Sequence, residues 1–363
     1  MTEASGQVGT ERDPEQPRAG RRRASGTQSL MRRLGLHRVT TDRLAIRRRR
    51  CGRGFLYLAS DGTPVRDPQT LRRLASLAVP PAYEDVFFAE DPSAHIQAVG
   101  RDAAGRLQYR YHPDWEKVRE LRKARRLERL AAVLPRVRRS VAQHLASAEP
   151  TREFAFAAVV ELVAATAIRA GSESYARLHG TRGAATLLKS NVSVSGDTVA
   201  LSFRAKGGKT VRKDVRAPRL GAAIAKLSRL SGRRLFQYRD DDGTIHHVRA
   251  RDVNGFLRSI AGVRISLKDL RTLCASAMVL DLLARIEPAG SARRRRSQVL
   301  EAVRIAADNL ANTPAICRRS YVHETIVAAF EKGVLERFAA ALKDCRSPAR
   351  RQQLVGRVVS MQT

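Results

Sequence analysis

Asn312-Thr313-Pro314-Ala315-Ile316-Cys317-Arg318-Arg319-Ser320-Tyr321-Val322-His323 lies in the last sixth of the chain, ahead of the apolar run Ile326 to Phe330. A tyrosine behind two arginines, read here as opening a helix, is suited to attack a phosphate. A free phenol ionises only near pH ~10, so such a nucleophile needs neighbours that stabilise negative charge. The remainder of the chain is read for groups that bring a phosphodiester to Tyr321 and hold its charge.

Composition narrows the partner. The chain has 363 residues, a net charge of +33 and a pI near 11.4. Such an excess of Lys and Arg calls for a polyanion, and nucleic acid is the first candidate. A basic protein of ribosomal type is the plain alternative. The apolar fraction of 43% is enough for a packed core. Cys51, Cys274, Cys317 and Cys345 are scattered, without C-x-x-C or zinc-like spacing. They suggest a reducing compartment and no metal. The longest apolar run, Phe154 to Ile168, is too short for a membrane span and contains Glu161. No apolar segment follows Arg21-Arg22-Arg23, so the expected location is the cytoplasm, at the nucleoid.

In chain order, residues 1–35 read as a disordered basic tail. Residues 36–115 read as a β-rich domain, with strands around Phe55 to Leu58, Asp85 to Phe88, His95 to Gly100 and Leu107 to His112, and a short helix over Pro68 to Leu77. From Glu116 the leucines and valines recur at helical spacing, and residues 116–345 read as mainly helical. Residues 346–363 read as a loose basic tail, and Arg293 to Arg296 as an exposed basic linker before a helix over Val299 to Leu310. The fold class is therefore α+β.

Five segments together are similar to type IB DNA topoisomerases of the bacterial and poxvirus-like branch. They cover roughly residues 36 to 335, in the family's order. The first is the tyrosine stretch itself. The second is Arg106-Leu107-Gln108-Tyr109-Arg110-Tyr111-His112, which resembles a strand that the family lays in the DNA major groove. Gln suits adenine, Arg suits phosphate, and Tyr offers a flat face and a hydroxyl. Alternation separates Tyr109 and Tyr111 from Gln108 and Arg110, so contact by both sets requires twist or an edge position. The alternative reading makes the tyrosines core residues of a small sheet.

The third is Ile168-Arg169-Ala170-Gly171 with Tyr175, then Gly183 to Leu188. Arg169 ends an apolar helix, an unusual place for a lone charge. Either it pairs with Glu161 or Glu173, or it grips the scissile phosphate. The fourth is the hairpin after Val192, ending in Ala205-Lys206-Gly207-Gly208-Lys209-Thr210. It is not a P-loop, because neither Phe203 nor Arg204 is the required glycine and strands flank the string. The fifth is Lys268-Asp269-Leu270-Arg271-Thr272 at the head of an apolar helix.

The resemblance implies a small, mostly antiparallel N-terminal β domain and a larger, mainly helical catalytic domain with a β-hairpin. It implies Tyr321 as nucleophile, Arg169 and Arg271 on the scissile phosphate, and Lys206 as general acid. It also implies Asn312 as a donor where poxvirus enzymes have histidine. DNA contacts are implied for Lys268, Gln108, Tyr109, Tyr111, Arg106 and Tyr175. The expected activity is metal-free and ATP-free relaxation of double-stranded DNA by a monomer that clamps it, without a cofactor. Lysine at position 268, where tyrosine recombinases usually carry histidine, favours topoisomerase over recombinase. A DNA-binding protein that has lost catalysis is the third reading. His323 is a weak substitute for the missing histidine.

Overall fold

The computed structural model describes residues 26–343, 345 and 347–360, and the chain divides into two units, residues 1–118 and 119–363. The first 25 residues of the expected basic tail lie outside the described residues. None of the described helices is long and apolar enough to cross a membrane.

The first unit is built on one antiparallel sheet. Strands β1 (Ile46–Cys51), β2 (Gly54–Leu58), β3 (Glu84–Phe88), β4 (Ile96–Arg101) and β5 (Leu107–Tyr111) pair in the order β2-β1-β3-β4-β5. Leu74 of the helix Pro68–Ser76 packs with Ile46, Val86, Phe88 and Ala98. The C-terminal part of the expected tail is helical instead. Gly26–Arg33 forms a helix because Leu30 and Met31 fall one turn from its end and bury against Leu36 and Val118.

β5 is an edge strand, and all its residues but the half-buried Gln108 are exposed, Tyr109 at 39% and Tyr111 at 42%. The tyrosines are therefore not core residues. They stack on each other with centroids 6.0 Å apart, and Tyr111 stacks on Trp115 at 5.8 Å. Gln108 and Arg106 are not idle: both donate to the Asp102 carboxylate, at 2.9 Å each. Arg106 heads the causes that lower Asp102 to a pKa of about 2.

The second unit is mainly helical. We label its helices in continuation of the two above: α3 (Trp115–Leu145, entering from the first unit), α4 (Arg152–Thr166), α5 (Glu173–His179), α6 (Pro218–Ser228), α7 (Ala250–Ala261), α8 (Leu267–Leu283), α9 (Ala292–Asn309), α10 (Pro314–Tyr321), α11 (Glu324–Glu331), α12 (Glu336–Lys343) and α13 (Pro348–Ser360). α4 is apolar all round and sits in the middle of the core, with Phe154 to Val160, Leu162 and Val163 buried. The expected hairpin is a three-stranded sheet, β6 (Val192–Ser195), β7 (Thr198–Arg204) and β8 (Thr210–Arg216). A second small hairpin, β9 (Gln237–Arg239) with β10 (Ile245–His247), was not expected.

Two further expectations are corrected. Arg293 to Arg296 are not a linker but the first turns of α9, which Ser291 caps by accepting from the Arg294 N–H at 3.3 Å. Arginine is a good helix former, so a basic run need not be a loop. The C-terminal tail is not loose either. Leu354, Val355, Val358 and Val359 share one face of α13 and are buried. α13 approaches α3 so closely that a Cβ on Gly356 would stand 2.5 Å from the Ala131 methyl.

Candidate active site

Two helix ends supply the frame. α4 stops at Ala167, which takes a left-handed φ of 53°, and the chain then turns through Arg169. The turn is locked against residues 183–186: Arg169 and Ala170 carbonyls accept from the Ala184 and Ala185 N–H groups at 2.7 and 2.8 Å. The contact is so close that a Cβ on Gly183 would lie 2.6 Å from the Arg169 carbonyl oxygen, so only glycine fits. α9 ends in the same manner at Ala311, φ 49°, followed by Asn312. Arg169 donates a hydrogen bond to Asn312 Oδ1. It does not pair with a carboxylate, since Glu161 lies against Arg219 and Glu173 is bound to Arg234.

Helix C-termini leave carbonyls without intrahelical partners. Arg271, in the second turn of α8 and only 3% exposed, fills that need at both ends. It donates to the Ala167 carbonyl of α4 and to the Leu310 carbonyl beyond α9, the latter at 2.5 Å. Burial lowers its pKa from the ordinary guanidinium value, while the adjacent Tyr321 phenol works in the opposite direction. Its guanidinium carbon stands 5.0 Å from the centre of the Tyr321 ring. Two buried donors here have no hydrogen-bond partner among the described residues, Arg271 Nε and Asn312 Nδ2. A buried unsatisfied donor is costly, and a cluster of them marks a place for an acceptor such as a phosphoryl oxygen.

Tyr321 closes α10 rather than opening a helix, a correction to the sequence reading. Thr313 caps the start of α10 and Pro314 occupies its first turn. The carbonyls at the other end are held from two sides. Ser276 of α8 donates to the Tyr321 carbonyl at 2.9 Å, and Lys123 of α3 donates to the Arg319 and Val322 carbonyls at 3.1 and 2.9 Å. A cation at a helix C-terminus complements its dipole. α11 opens afterwards with His323 as its cap, the ring Nδ1 accepting from the Thr325 N–H at 3.2 Å. Burial pushes the His323 pKa down to about 4, so the ring is neutral at pH 7 and does not replace a charged histidine.

Arg169, Asn312, Arg271 and Tyr321 are thus brought together. Lys206 is not among them: exposed in the turn after β7, it stands 5.1 Å from the ring centre of Tyr175, itself 43% exposed. Gly207 and Gly208 both take positive φ there, which is turn geometry and not a P-loop. Lys268 lines a groove beside the tyrosine helix with Arg119, Arg122, Lys123, Arg126 and Arg319, where cations outnumber the two carboxylates Glu120 and Asp269. Among the described residues no group of three or more His, Cys, Asp or Glu is placed to hold a metal ion.

Three residues beside this site escaped the sequence reading: Ser276, Lys123 and Lys213. Lys213 of β8 donates to the Thr166 carbonyl at 2.6 Å and to Asn309 Oδ1 at 3.2 Å. Its signal was the period of two that puts it on the same face as the buried Val211.

Comparison with known proteins gives the family of the chain. The model of the bacterial DNA topoisomerase IB N-terminal domain matches residues 54–102, and that of the eukaryotic DNA topoisomerase I catalytic core matches residues 112–347. The DNA topoisomerase 1B of Acanthamoeba polyphaga mimivirus is 28% identical over 284 residues, spanning 76% of this chain and 84% of the viral protein. With the catalytic-core match running across most of the second unit, the chain belongs to the type IB DNA topoisomerase family, enzymes of the type I class.

Proposed function

We propose that the chain relaxes supercoiled duplex DNA by cutting one strand through a 3′-phosphotyrosine at Tyr321, letting the strand rotate, and resealing it. The observation that carries this reading is the cluster of Arg271 against Tyr321 with Arg169 bound to Asn312. The Tyr321 phenol gives up its proton to solvent as its oxygen forms a bond to phosphorus, and the bond to the 5′ oxygen breaks. Arg169, Arg271 and Asn312 Nδ2 meet the charge that grows on the non-bridging oxygens, stabilising the transition state more than the ground state. Asn312 contributes as a neutral dipole, less than a cation would. Lys206, carried on the turn after β7, gives a proton to the departing 5′ oxygen. The 5′ hydroxyl then attacks back, so the phosphodiester energy is kept in the tyrosine ester and ATP has no part.

Lys268 and the arginines of its groove, Tyr175, and the exposed face of β5 with Tyr109 and Tyr111 are the proposed DNA contacts. Gln108 and Arg106 join them by exchanging Asp102 for bases or phosphates. We propose that the first unit, built on the β1–β5 sheet, is the DNA-binding unit and that the mainly helical second unit is the catalytic one, the chain acting as a monomer in the bacterial cytoplasm. The test is relaxation of negatively supercoiled plasmid in EDTA without ATP, wild type beside Tyr321→Phe. Relaxation by the wild type alone is expected. Relaxation by the phenylalanine variant at the wild-type rate, or a requirement for metal or ATP, overturns the reading.

A further inference from the structure

The two helix ends that carry Arg169 and Asn312 are tied together twice. Arg271 binds the carbonyls of Ala167 and Leu310. One residue earlier along each segment, Lys213 binds the Thr166 carbonyl and the Asn309 side chain. The two cations form parallel staples across the same gap, one from α8 and one from β8. Arg169 follows the stapled part of α4 by two residues, and Asn312 follows that of α9 by two.

We propose that Lys213 is a positioning residue for DNA cleavage: its ammonium binds the open carbonyl end of α4 to the end of α9 and so sets Arg169 and Asn312 against Arg271. Arg271 is committed to the phosphate in the proposed mechanism, and its grip on the carbonyls must adjust when DNA enters. Lys213, which touches neither Tyr321 nor Asn312, keeps the frame while that happens. The inference rests on the reading of Tyr321 as nucleophile.

The surroundings of Lys213 make the staple sensitive to alkali. Arg169, Arg182 and Arg271 line the same crevice, with no carboxylate among its lining residues. Cys274, facing it from α8, is pushed up to about 11 by burial and stays a neutral thiol. Asp214, next to it in β8, is on the opposite, exposed face. Burial first, and Arg271 second, lower the Lys213 pKa to about 8. The amine left above that pH is a weaker donor to both acceptors.

The experiment measures single-turnover cleavage rate and DNA affinity for the full chain as wild type, Lys213→Gln, Lys213→Arg and Tyr321→Phe, between about pH 7 and about pH 9.5, spanning the Lys213 transition. Arginine keeps its charge throughout. At neutral pH the glutamine variant is expected to cleave about tenfold or more slowly, because sub-ångström misplacement of catalytic groups is expensive. Its DNA affinity should stay within about twofold, since it contacts no phosphate. The arginine variant should recover most of the rate, and the ratio of wild type to arginine variant should fall with a midpoint near the Lys213 pKa. A glutamine variant at the wild-type rate, or a ratio constant across the range, overturns the proposal. The ratio remains decisive if the glutamine variant does not fold. Cleavage by Tyr321→Phe would instead overturn the tyrosine reading, whatever Lys213 does.

Discussion

Replacing Arg271 by alanine separates structure from catalysis at one residue, and the structure sizes both effects. In the free protein Arg271 satisfies the Ala167 and Leu310 carbonyls from a position only 3% exposed. Truncation leaves two buried acceptors unpaired, at a cost of about 1–3 kcal/mol each. Against this stands the relief of burying a guanidinium charge, which takes back a good part of that cost. The expected net loss is about 1–3 kcal/mol, or roughly 2–12 °C in the melting temperature of a domain this size. Catalysis loses far more. A preorganised donor to a developing oxyanion contributes about 10²–10³ in rate, and Arg271 has both charge and a free Nε for that role. Lysine at 271 restores the charge but lacks the fork that offers several donors to carbonyls and phosphate, so it should remain well below wild type. The assay is single-turnover cleavage at saturating enzyme, beside thermal unfolding of the same preparations. An alanine variant that cleaves within about tenfold of wild type would refute the phosphate role, being below the range for one such donor. One that melts at the wild-type temperature would refute the carbonyl-staple argument.

Two further outcomes are expected. Lys206→Ala should slow cleavage by about 10²–10⁴, the usual worth of general acid catalysis, and a substrate with sulfur as the leaving 5′ atom should erase most of the deficit, because a thiolate leaves without a proton; an undiminished deficit would remove Lys206 from that role. His323 has a folded pKa of about 4 against an ordinary value of 6.5, so the unfolded chain binds more protons between those values. The stability tied to neutral His323 is complete above pH 6.5 and is lost as pH falls toward 4, by at most about 3 kcal/mol. His323→Gln should flatten that limb of the stability curve measured by denaturant unfolding, and an unchanged slope would count against the buried neutral ring.

Much of the site was legible because its chemistry is local in sequence. Tyr321 behind two arginines, Arg169 at the end of an apolar run and the Lys268 to Thr272 string each carry their character in a few residues. The alternation of β5 and the apolar length of α4 announced the two kinds of architecture. Boundaries read from composition fared worse. Arg293 to Arg296 look like a basic linker and residues 348–360 like part of a loose basic tail, yet both are helical, because arginine tolerates a helix and a few valines at the right spacing suffice to dock one.

The sequence by itself determined the residue types: a phenol, guanidiniums, a neutral amide and a lysine on a turn, in an order similar to one family. Tertiary structure alone decided which of them meet. Arg169 faces Asn312 rather than Glu161 or Glu173, and Gln108 is engaged with Asp102. His323 is a buried cap, and Lys213, Lys123 and Ser276 brace the helix ends that hold the catalytic groups. These pairings join positions up to about two hundred residues apart. Those of Lys213, Lys123 and Ser276 exist because a helix end leaves carbonyls that another element must satisfy, a requirement that no local pattern of residues records.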